Sequence, residues 1–402
     1  MIPPLQEYLE SMDHWYQGLQ KEKKLFFFVL FGLGLCLRIQ SEVQDFHVFY
    51  LAGMRYVQGF SLYQTSDGFS IFKYSPFFAM LMAPLSFLSE SFAKSVWLFL
   101  NMFSLLRIIN LLLEKSSQEK RIAVFFAVWA ITPFLVVHVL YGQVNLIVLY
   151  IMLLAMKKID EKKMSAGFFV ALGVLIKLTP IIVLPYMIWR KQWKSLLVFS
   201  SSLVLLLGVS LMRFSPPYEE FSSWFHTMKS GHSLFDPYYY PYNNNLQNLI
   251  SSLFSYPDFK YLEYKKNLFS LPVASVPFIF CVIVIFIGGV SLFLIEDLRK
   301  KERFSWIDAA APMVLAQTIL SPLAWHHNFV NMMIPIFIIC CDKLRLKKYK
   351  TMTIFLLYPI LYHVIARFAE GPRIFLFYWP CLISALFVLY VLAVSQYQRR
   401  KT

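Results

Sequence analysis

Charged side chains are scarce in this chain. Among its 402 residues, Asp, Glu, Lys and Arg make up 15%, whereas hydrophobic residues make up 58% and Phe alone contributes 40. No soluble domain of this size could bury so much apolar surface in a single core. Runs of about 18 to 22 apolar residues recur from end to end, and each is long enough to cross a hydrocarbon layer of about 30 Å. We therefore expect an all-α, polytopic integral membrane protein.

The signatures of several common chemistries are also missing. The sequence has no Gly-rich phosphate loop, no dinucleotide fingerprint, no GxSxG elbow and no Cys or His spacing for zinc. These absences argue against a nucleotide-sugar donor, and we expect neither a metal nor a cofactor. Five cysteines lie in or beside apolar segments without framework spacing, so we expect them to be inert: Cys36, Cys281, Cys340, Cys341 and Cys381.

The basic residues predict the orientation, because Lys and Arg collect on the side from which a chain is inserted. Seven clusters hold 25 of the 38 basic residues: KEKK, KSSQEKR, KKIDEKK, RKQWK, RKKER, KLRLKKYK and the terminal RRK. We place all seven in the cytosol. The net charge of +15 then reflects topology and contact with anionic lipids, and it gives no support to nucleic-acid binding.

The first apolar run, LFFFVLFGLGLCL, follows KEKK and shows no small-residue cleavage pattern. It is predicted to be a retained anchor, with residues 1–24 in the cytosol. Residues 25–402 are predicted to form a single membrane domain, in which the outer loops 38–73 and 213–271 form part of the active site.

Two apolar stretches do not fit as simple crossings under this orientation. We interpret YSPFFAMLMAPLSFL as an amphipathic helix on the outer surface and the following VWLFLNMFSLLRIINLLL as the crossing. Residues 166–189 have basic clusters at both ends and are interrupted by Lys177 and Pro180, which favours a re-entrant or broken pair of helices. A conventional arrangement of twelve crossings remains an alternative.

The stretch DFHVFYLAGMRYVQGFSLYQ, residues 45–64, has apolar residues at helical spacing. It predicts a juxtamembrane helix that ends at Gly59. Asp45 at its start has two interpretations that do not exclude each other. Its carboxylate could cap the helix, or it could take part in chemistry.

The motifs around this stretch resemble glycosyltransferase family 87, a group of C-type glycosyltransferases that use polyprenyl-phosphate mannose. The resemblance starts with residues 45–64 and FKYSPFFAMLMAPLSFL. It continues in the family's order with YGQVN (141–145), AGFFVALGVLIKLTP (166–180), NNNLQNLI (243–250) and LSPLAWHHNFV (320–330). It extends over residues 25–345 or so.

The resemblance implies a helical bundle of the C-type glycosyltransferase fold, with roughly 10 to 12 transmembrane helices and juxtamembrane helices in the first outer loop. It implies transfer of a hexose, mannose above all, from a polyprenyl-phosphate sugar to a lipid-linked or glycan acceptor with inversion. The reaction would take place on the outer side of the membrane, here expected to be a bacterial inner membrane. The general base is an acidic residue after the first transmembrane helix, a position occupied by Asp45. Many relatives in the wider superfamily carry a paired acidic motif, whereas this chain has one Asp with Glu42 three residues earlier, so we expect no metal dependence.

Substrate contacts are expected from residues whose side chains suit phosphate or sugar. Lys177 lies within an apolar run, where an unpaired charge is costly, so a phosphate or a buried acid is expected beside it. Amides and aromatic rings suit sugar hydroxyls and sugar faces, although the same residues also satisfy helix corners and line membrane surfaces. The candidates are His47, Arg55, Lys73, Tyr74, Gln143, Asn145, Lys177, Asn245, Gln247, Trp325, His326 and His327.

A transporter or lipid flippase is the main alternative, because it would also contain an intramembrane Lys177 and broken helices. Transporters commonly show paired repeats and carry their polar residues near the midplane. Here the two halves do not match, and the polar motifs collect on one predicted face. The sequence therefore favours an enzyme, while a structural subunit with a degenerate transferase fold remains open.

Overall fold

The computed structural model describes residues 44–64, 66–67, 71–114, 117–230, 250, 271–272, 275–299, 305–321 and 325–345. The α-helices in these ranges are α1 (Gln44–Gln58), α2 (Pro76–Met82), α3 (Glu90–Leu112), α4 (Gln118–Ala130), α5 (Thr132–Tyr141), α6 (Asn145–Asp160), α7 (Ser165–Ile176), α8 (Val183–Trp189), α9 (Trp193–Leu211), α10 (Pro217–Ser230), α11 (Ser275–Arg299), α12 (Trp306–Leu320) and α13 (Met333–Arg345). Short 3-10 helices cover Ala83–Phe87, Thr179–Ile182 and His326–Met332. The predicted all-α fold class is confirmed.

Two of the described helices, α3 and α9, are long and apolar enough to cross a membrane. A third span results if α4 and α5 count as one, although these two helices meet at an angle of 57°. The anchor at LFFFVLFGLGLCL and everything after residue 345 lie outside the described residues. The number of roughly 10 to 12 crossings for the whole chain therefore stays a prediction.

The bend between α4 and α5 was not predicted. Ile131 forms a turn between the two helices, and Pro133 lies in the first turn of α5. Proline is tolerated in a first turn, where its missing N–H costs nothing, but it cannot continue a preceding helix. Pro133 was the sequence signal for this bend.

The stretch after Tyr74 is too short in the structure to cross a membrane. Ser75 caps α2 by accepting the N–H of Phe78 at 3.3 Å, and Pro76 opens the helix. Seven residues of α-helix then continue as the 3-10 helix Ala83–Phe87, and α3 follows. The structure thus agrees with an interpretation in which α3 is the crossing and this stretch is not.

The predicted break within residues 166–189 is present. Helix α7 ends at Ile176, and Lys177 takes up an extended conformation. The 3-10 helix Thr179–Ile182 and the short α8 then complete the stretch. Pro180 folds back against Gly173, where an added Cβ would lie 3.1 Å from the proline ring.

Helix α1 packs against α2 and the 3-10 helix that follows it. Gly53 permits this close contact, because a Cβ there would lie 2.8 Å from the carbonyl oxygen of Met82. The ring of Phe49 meets those of Phe78 and Trp97 edge-on, at 5.1 and 5.9 Å between centroids. The helix ends at Gly59, whose φ of 74° is readily adopted only by glycine, as predicted. This packing fixes the start of α1, and with it Asp45, against the bundle.

Helix α6 lies at the centre of the described bundle, between α3, α7 and α12. Its buried residues include Leu146, Leu149 and Leu153. Helix α7 packs in turn on α9, where a Cβ at Gly167 would lie only 1.9 Å from the carbonyl oxygen of Ser195. Asn145 and Leu146, the first two residues of α6, are both buried, so the N-terminal end of this helix lies inside the protein.

Candidate active site

Asp45 is the second residue of α1 and lies within its first turn. It is therefore not in the N-cap position, and its carboxylate instead accepts a hydrogen bond from the side-chain amide of Gln143. Burial raises the pKa of the Asp45 carboxyl above its usual value, although the bond from Gln143 and the positive charges of Lys177 and Lys73 offset part of this rise. The site thus contains a half-buried carboxylate within electrostatic range of two ammonium groups.

The corner YGQVN places two amides inside the protein. Gly142 ends α5 in the left-handed conformation, with φ of 64°, and its carbonyl oxygen accepts the indole N–H of Trp97 at 2.6 Å. The chain then turns directly into α6, so that both Gln143 and Asn145 are only 4% exposed. Gln143 faces Asp45, whereas Asn145 faces Lys177.

Lys177 is the centre of a buried polar network. Its ammonium group donates to the side-chain oxygens of Asn145, at 2.6 Å, and Asn328, at 3.0 Å. The amide nitrogen of Asn145 donates in turn to the backbone oxygen of His327 at 3.1 Å. Asp45 attracts Lys177 electrostatically, and the expectation of a phosphate or a buried acid in contact with Lys177 stays a prediction. The extended backbone at the helix break aims this side chain at the end of α6.

Lys73 and Tyr74 form another part of the surroundings of Asp45. Burial lowers the pKa of the Lys73 ammonium group, and attraction to Asp45 offsets part of this effect. The ring of Tyr74 packs edge-on against Phe49 of α1, at 5.0 Å between centroids. Burial and the nearby charge of Asp45 both raise the pKa of its phenol.

A stacked pair of aromatic rings lies at the chain corner that contains the HHN sequence. Trp325 and His327 lie nearly parallel, at 6.3 Å between ring centroids, and the ring of Tyr141 lies 6.2 Å from that of His327. His327 is buried, whereas His326 before it is partly exposed. The backbone of His327 thereby links this corner to the Lys177 network through Asn145.

Two of the residues predicted to contact the substrate already contact an acidic side chain. Arg55 forms a two-pronged ion pair with Asp67, at 2.6 and 2.9 Å, and His47 contacts Glu90 at 2.7 Å on the exposed surface. These contacts do not join either residue to the networks of Asp45 and Lys177.

Asn245 and Gln247 lie outside the described residues, which resume at 250 after 230. Their assignment to sugar binding stays a prediction.

Sequence reasoning missed the buried pair His138 and Asn101. The Nε2 atom of His138 lies 3.0 Å from the side-chain oxygen of Asn101, whose amide nitrogen donates to the backbone of Trp97. Because that oxygen can only accept, His138 carries its proton on Nε2. Its Nδ1 atom is buried and finds no hydrogen-bond partner among the described residues. The only sequence signals were single polar residues within otherwise apolar runs.

None of the described residues forms a group of three or more His, Cys, Asp or Glu side chains that could hold a metal ion. The expectation of metal independence stays a prediction.

Comparison with known proteins identifies the family. The sequence model of glycosyltransferase family 87 matches residues 72–322, a narrower range than the motifs had suggested. Asp45 precedes this range, whereas Gln143, Asn145 and Lys177 lie within it. Neither the curated proteins nor the solved structures give a match. Since the matched range is more than half of the chain, this protein belongs to glycosyltransferase family 87.

Proposed function

We propose that this membrane glycosyltransferase moves a hexose, mannose in the first place, from a polyprenyl-phosphate donor to a lipid-linked or glycan acceptor on the outer face of the membrane. Asp45 acts as general base, and the anomeric configuration inverts. The observation that carries the proposal is the half-buried setting of Asp45, which is bonded to Gln143 and attracted by Lys73 and Lys177. Membership of a glycosyltransferase family favours an enzyme over a flippase.

The setting of Asp45 suits proton removal from a sugar hydroxyl. A carboxylate that is partly withdrawn from water is a stronger base than a free one, and burial raises the pKa of Asp45. The acceptor oxygen attacks the anomeric carbon while its proton passes to Asp45. The bond from that carbon to the phosphate oxygen breaks, and its electron pair leaves with the lipid monophosphate. A single displacement of this kind inverts the configuration.

Lys177 and Lys73 are the groups we assign to the leaving phosphate. An ammonium group has three N–H bonds, and Lys177 uses two of them for Asn145 and Asn328. We assign the third to a phosphate oxygen, whose negative charge grows as the sugar departs. Fixed cations in a site of low water content stabilise such charge efficiently, because they need no reorganisation during the reaction.

The amides of the YGQVN corner are the groups we assign to the sugar. The side-chain oxygen of Gln143 is buried and has no hydrogen-bond partner among the described residues. The side-chain nitrogen of Gln143 donates a hydrogen bond to Asp45. A sugar hydroxyl would satisfy that oxygen and would lie beside the base. Gln143 would then orient Asp45 and substrate together.

The proposal is tested by incubating purified protein with labelled polyprenyl-phosphate hexoses and a total lipid extract. We expect labelled product from the mannose donor and release of polyprenyl phosphate. Parallel incubations with glucose and galactose donors measure the preference for mannose. Transfer from a nucleotide sugar alone, or movement of the labelled lipid across vesicles without covalent transfer, would contradict the proposal.

A further inference from the structure

The junction between α9 and α10 is docked on the end of α1. The guanidinium group of Arg213 donates to the backbone oxygen of Val57 and lies against Gly59, where an added Cβ would be 3.1 Å from it. One residue later, the ring of Phe214 meets Tyr56 edge-on at 5.7 Å between centroids. The last residues of α1 and Gly59 are thus held by residues more than 150 positions later.

Glu220 in α10 extends this docking to the next part of the loop. Its carboxylate is buried, with the residue only 5% exposed, and accepts the backbone N–H of Leu62 at 2.8 Å. The hydroxyl of Ser61 is close enough to offset part of the rise in pKa that burial causes in the Glu220 carboxyl. A buried carboxylate is costly unless its oxygens receive hydrogen bonds, so the Leu62 N–H is strongly held. Ser61 and Leu62 come from one short segment of the first outer loop.

The residue after Leu62 connects this segment to the surroundings of Asp45. Tyr63 is buried, and its hydroxyl donates to the backbone oxygen of Tyr74 at 2.8 Å. Tyr74 packs on Phe49 of α1 and follows Lys73, whose charge acts on Asp45. A continuous series of contacts therefore leads from Glu220 through Leu62 and Tyr63 to Tyr74, the residue next to Lys73.

We propose that Glu220 is a positioning residue for the transfer reaction. By holding Leu62, and through Tyr63 the backbone of Tyr74, it sets the distance between Lys73 and the donor phosphate. The inference rests on the proposed function, because it takes Lys73 as a phosphate contact. It also explains how two outer loops distant in sequence act on one site.

Loss of the Glu220 carboxylate is expected to weaken mainly the binding of the donor. Without an acceptor for the Leu62 N–H the segment relaxes, and Lys73 shifts while Asp45 stays fixed by Gln143. A displacement of about 1 Å can reduce a rate by as much as about 100-fold. For Glu220→Leu we expect a kcat/KM for the donor that is about 10- to 100-fold lower, carried mainly by a higher KM.

Three further variants separate positioning from folding. Glu220→Gln keeps an oxygen that can accept the Leu62 N–H, so it should recover most of the donor KM. Tyr63→Phe removes only the hydrogen bond from the Tyr63 hydroxyl to the backbone oxygen of Tyr74. Like Glu220→Leu, it should raise the donor KM. Glu219→Leu is the matched control, because Glu219 is exposed and its carboxylate accepts a hydrogen bond from the neighbouring Tyr218. It should leave the donor KM unchanged.

Hydrogen exchange provides a readout that does not depend on transfer. In purified Glu220→Leu protein, the amides of residues 61–63 and 72–75 should exchange faster than in the unchanged protein, while those of α3 should not. An unchanged donor KM in folded Glu220→Leu protein would overturn the inference, as would an equal loss in Glu219→Leu. If Glu220→Leu fails to fold, a normal donor KM in Tyr63→Phe overturns it. Absence of transfer by the unchanged protein would count against the proposed function, whereas the exchange experiment would still test the docking.

Discussion

Replacement of Asp45 by Asn removes the proposed base with little other change. The Asn side chain has the same shape, and its amide oxygen can still accept the hydrogen bond from Gln143. The charge that attracts Lys73 and Lys177 is lost, yet Lys177 keeps its bonds to Asn145 and Asn328. Folding and donor binding should therefore survive, whereas proton acceptance is abolished.

The expected loss follows from the contribution of a positioned base. General base catalysis supplies about 10²- to 10⁴-fold, which corresponds to about 2.7 to 5.4 kcal/mol of transition-state stabilisation. We expect glycosyl transfer by Asp45→Asn to fall by at least about 10²-fold. The assay is single-turnover transfer from labelled polyprenyl-phosphate mannose, normalised to folded protein by gel filtration and donor binding.

Asp160→Asn is the matched control, since Asp160 is the last residue of α6, at the opposite end from Asn145. It should transfer at the normal rate. Near-normal transfer by Asp45→Asn would refute the assignment, and Glu42 would then be the next acid to test. Such a result would leave the family assignment intact, because Asp45 lies outside the matched range.

Three further predictions concern pH, phosphate binding and orientation. Because burial raises the pKa of Asp45, the acidic limb of the pH profile of kcat/KM should have its midpoint above the pKa of about 3.9 of a free Asp. A midpoint at or below that pKa would argue against Asp45 as the base. Lys177→Met and His326→Ala should each weaken binding of a polyprenyl-phosphate sugar by about 10- to 100-fold, more than they affect thermal unfolding, and unchanged affinity in both would remove them from the site. A cysteine introduced at Thr65 should react with an impermeant reagent from outside and one at Lys158 only from the cytosol, whereas outside labelling at Lys158 would favour the model with twelve crossings.

Local chemistry made parts of this fold predictable. The break at Lys177 follows from a charge and a proline within an apolar run, and the end of α1 follows from Gly59. Both signals act within a few residues, so a single sequence contains them. The bend at Ile131 belongs to the same class and was available from Pro133, but the apolar run on both sides concealed it.

The contacts of the site are of a different kind. Asp45 meets Gln143 across 98 positions of the chain, and Lys177 meets Asn328 across 151. Motifs could indicate that these residues matter, but spacing along a sequence does not determine which of them touch after packing. Arg55 illustrates the limit, because its spacing did not predict the ion pair with Asp67, while its assignment to the substrate stays a prediction.

The anomeric configuration of the product tests the central claim most directly. Purified protein is given a polyprenyl-phosphate mannose of known configuration, and the new glycosidic bond is assigned by NMR from its one-bond carbon–hydrogen coupling. A single displacement assisted by Asp45 predicts the configuration opposite to that of the donor. Retention of the donor configuration would contradict this mechanism, because it requires a covalent sugar intermediate or attack from the same face.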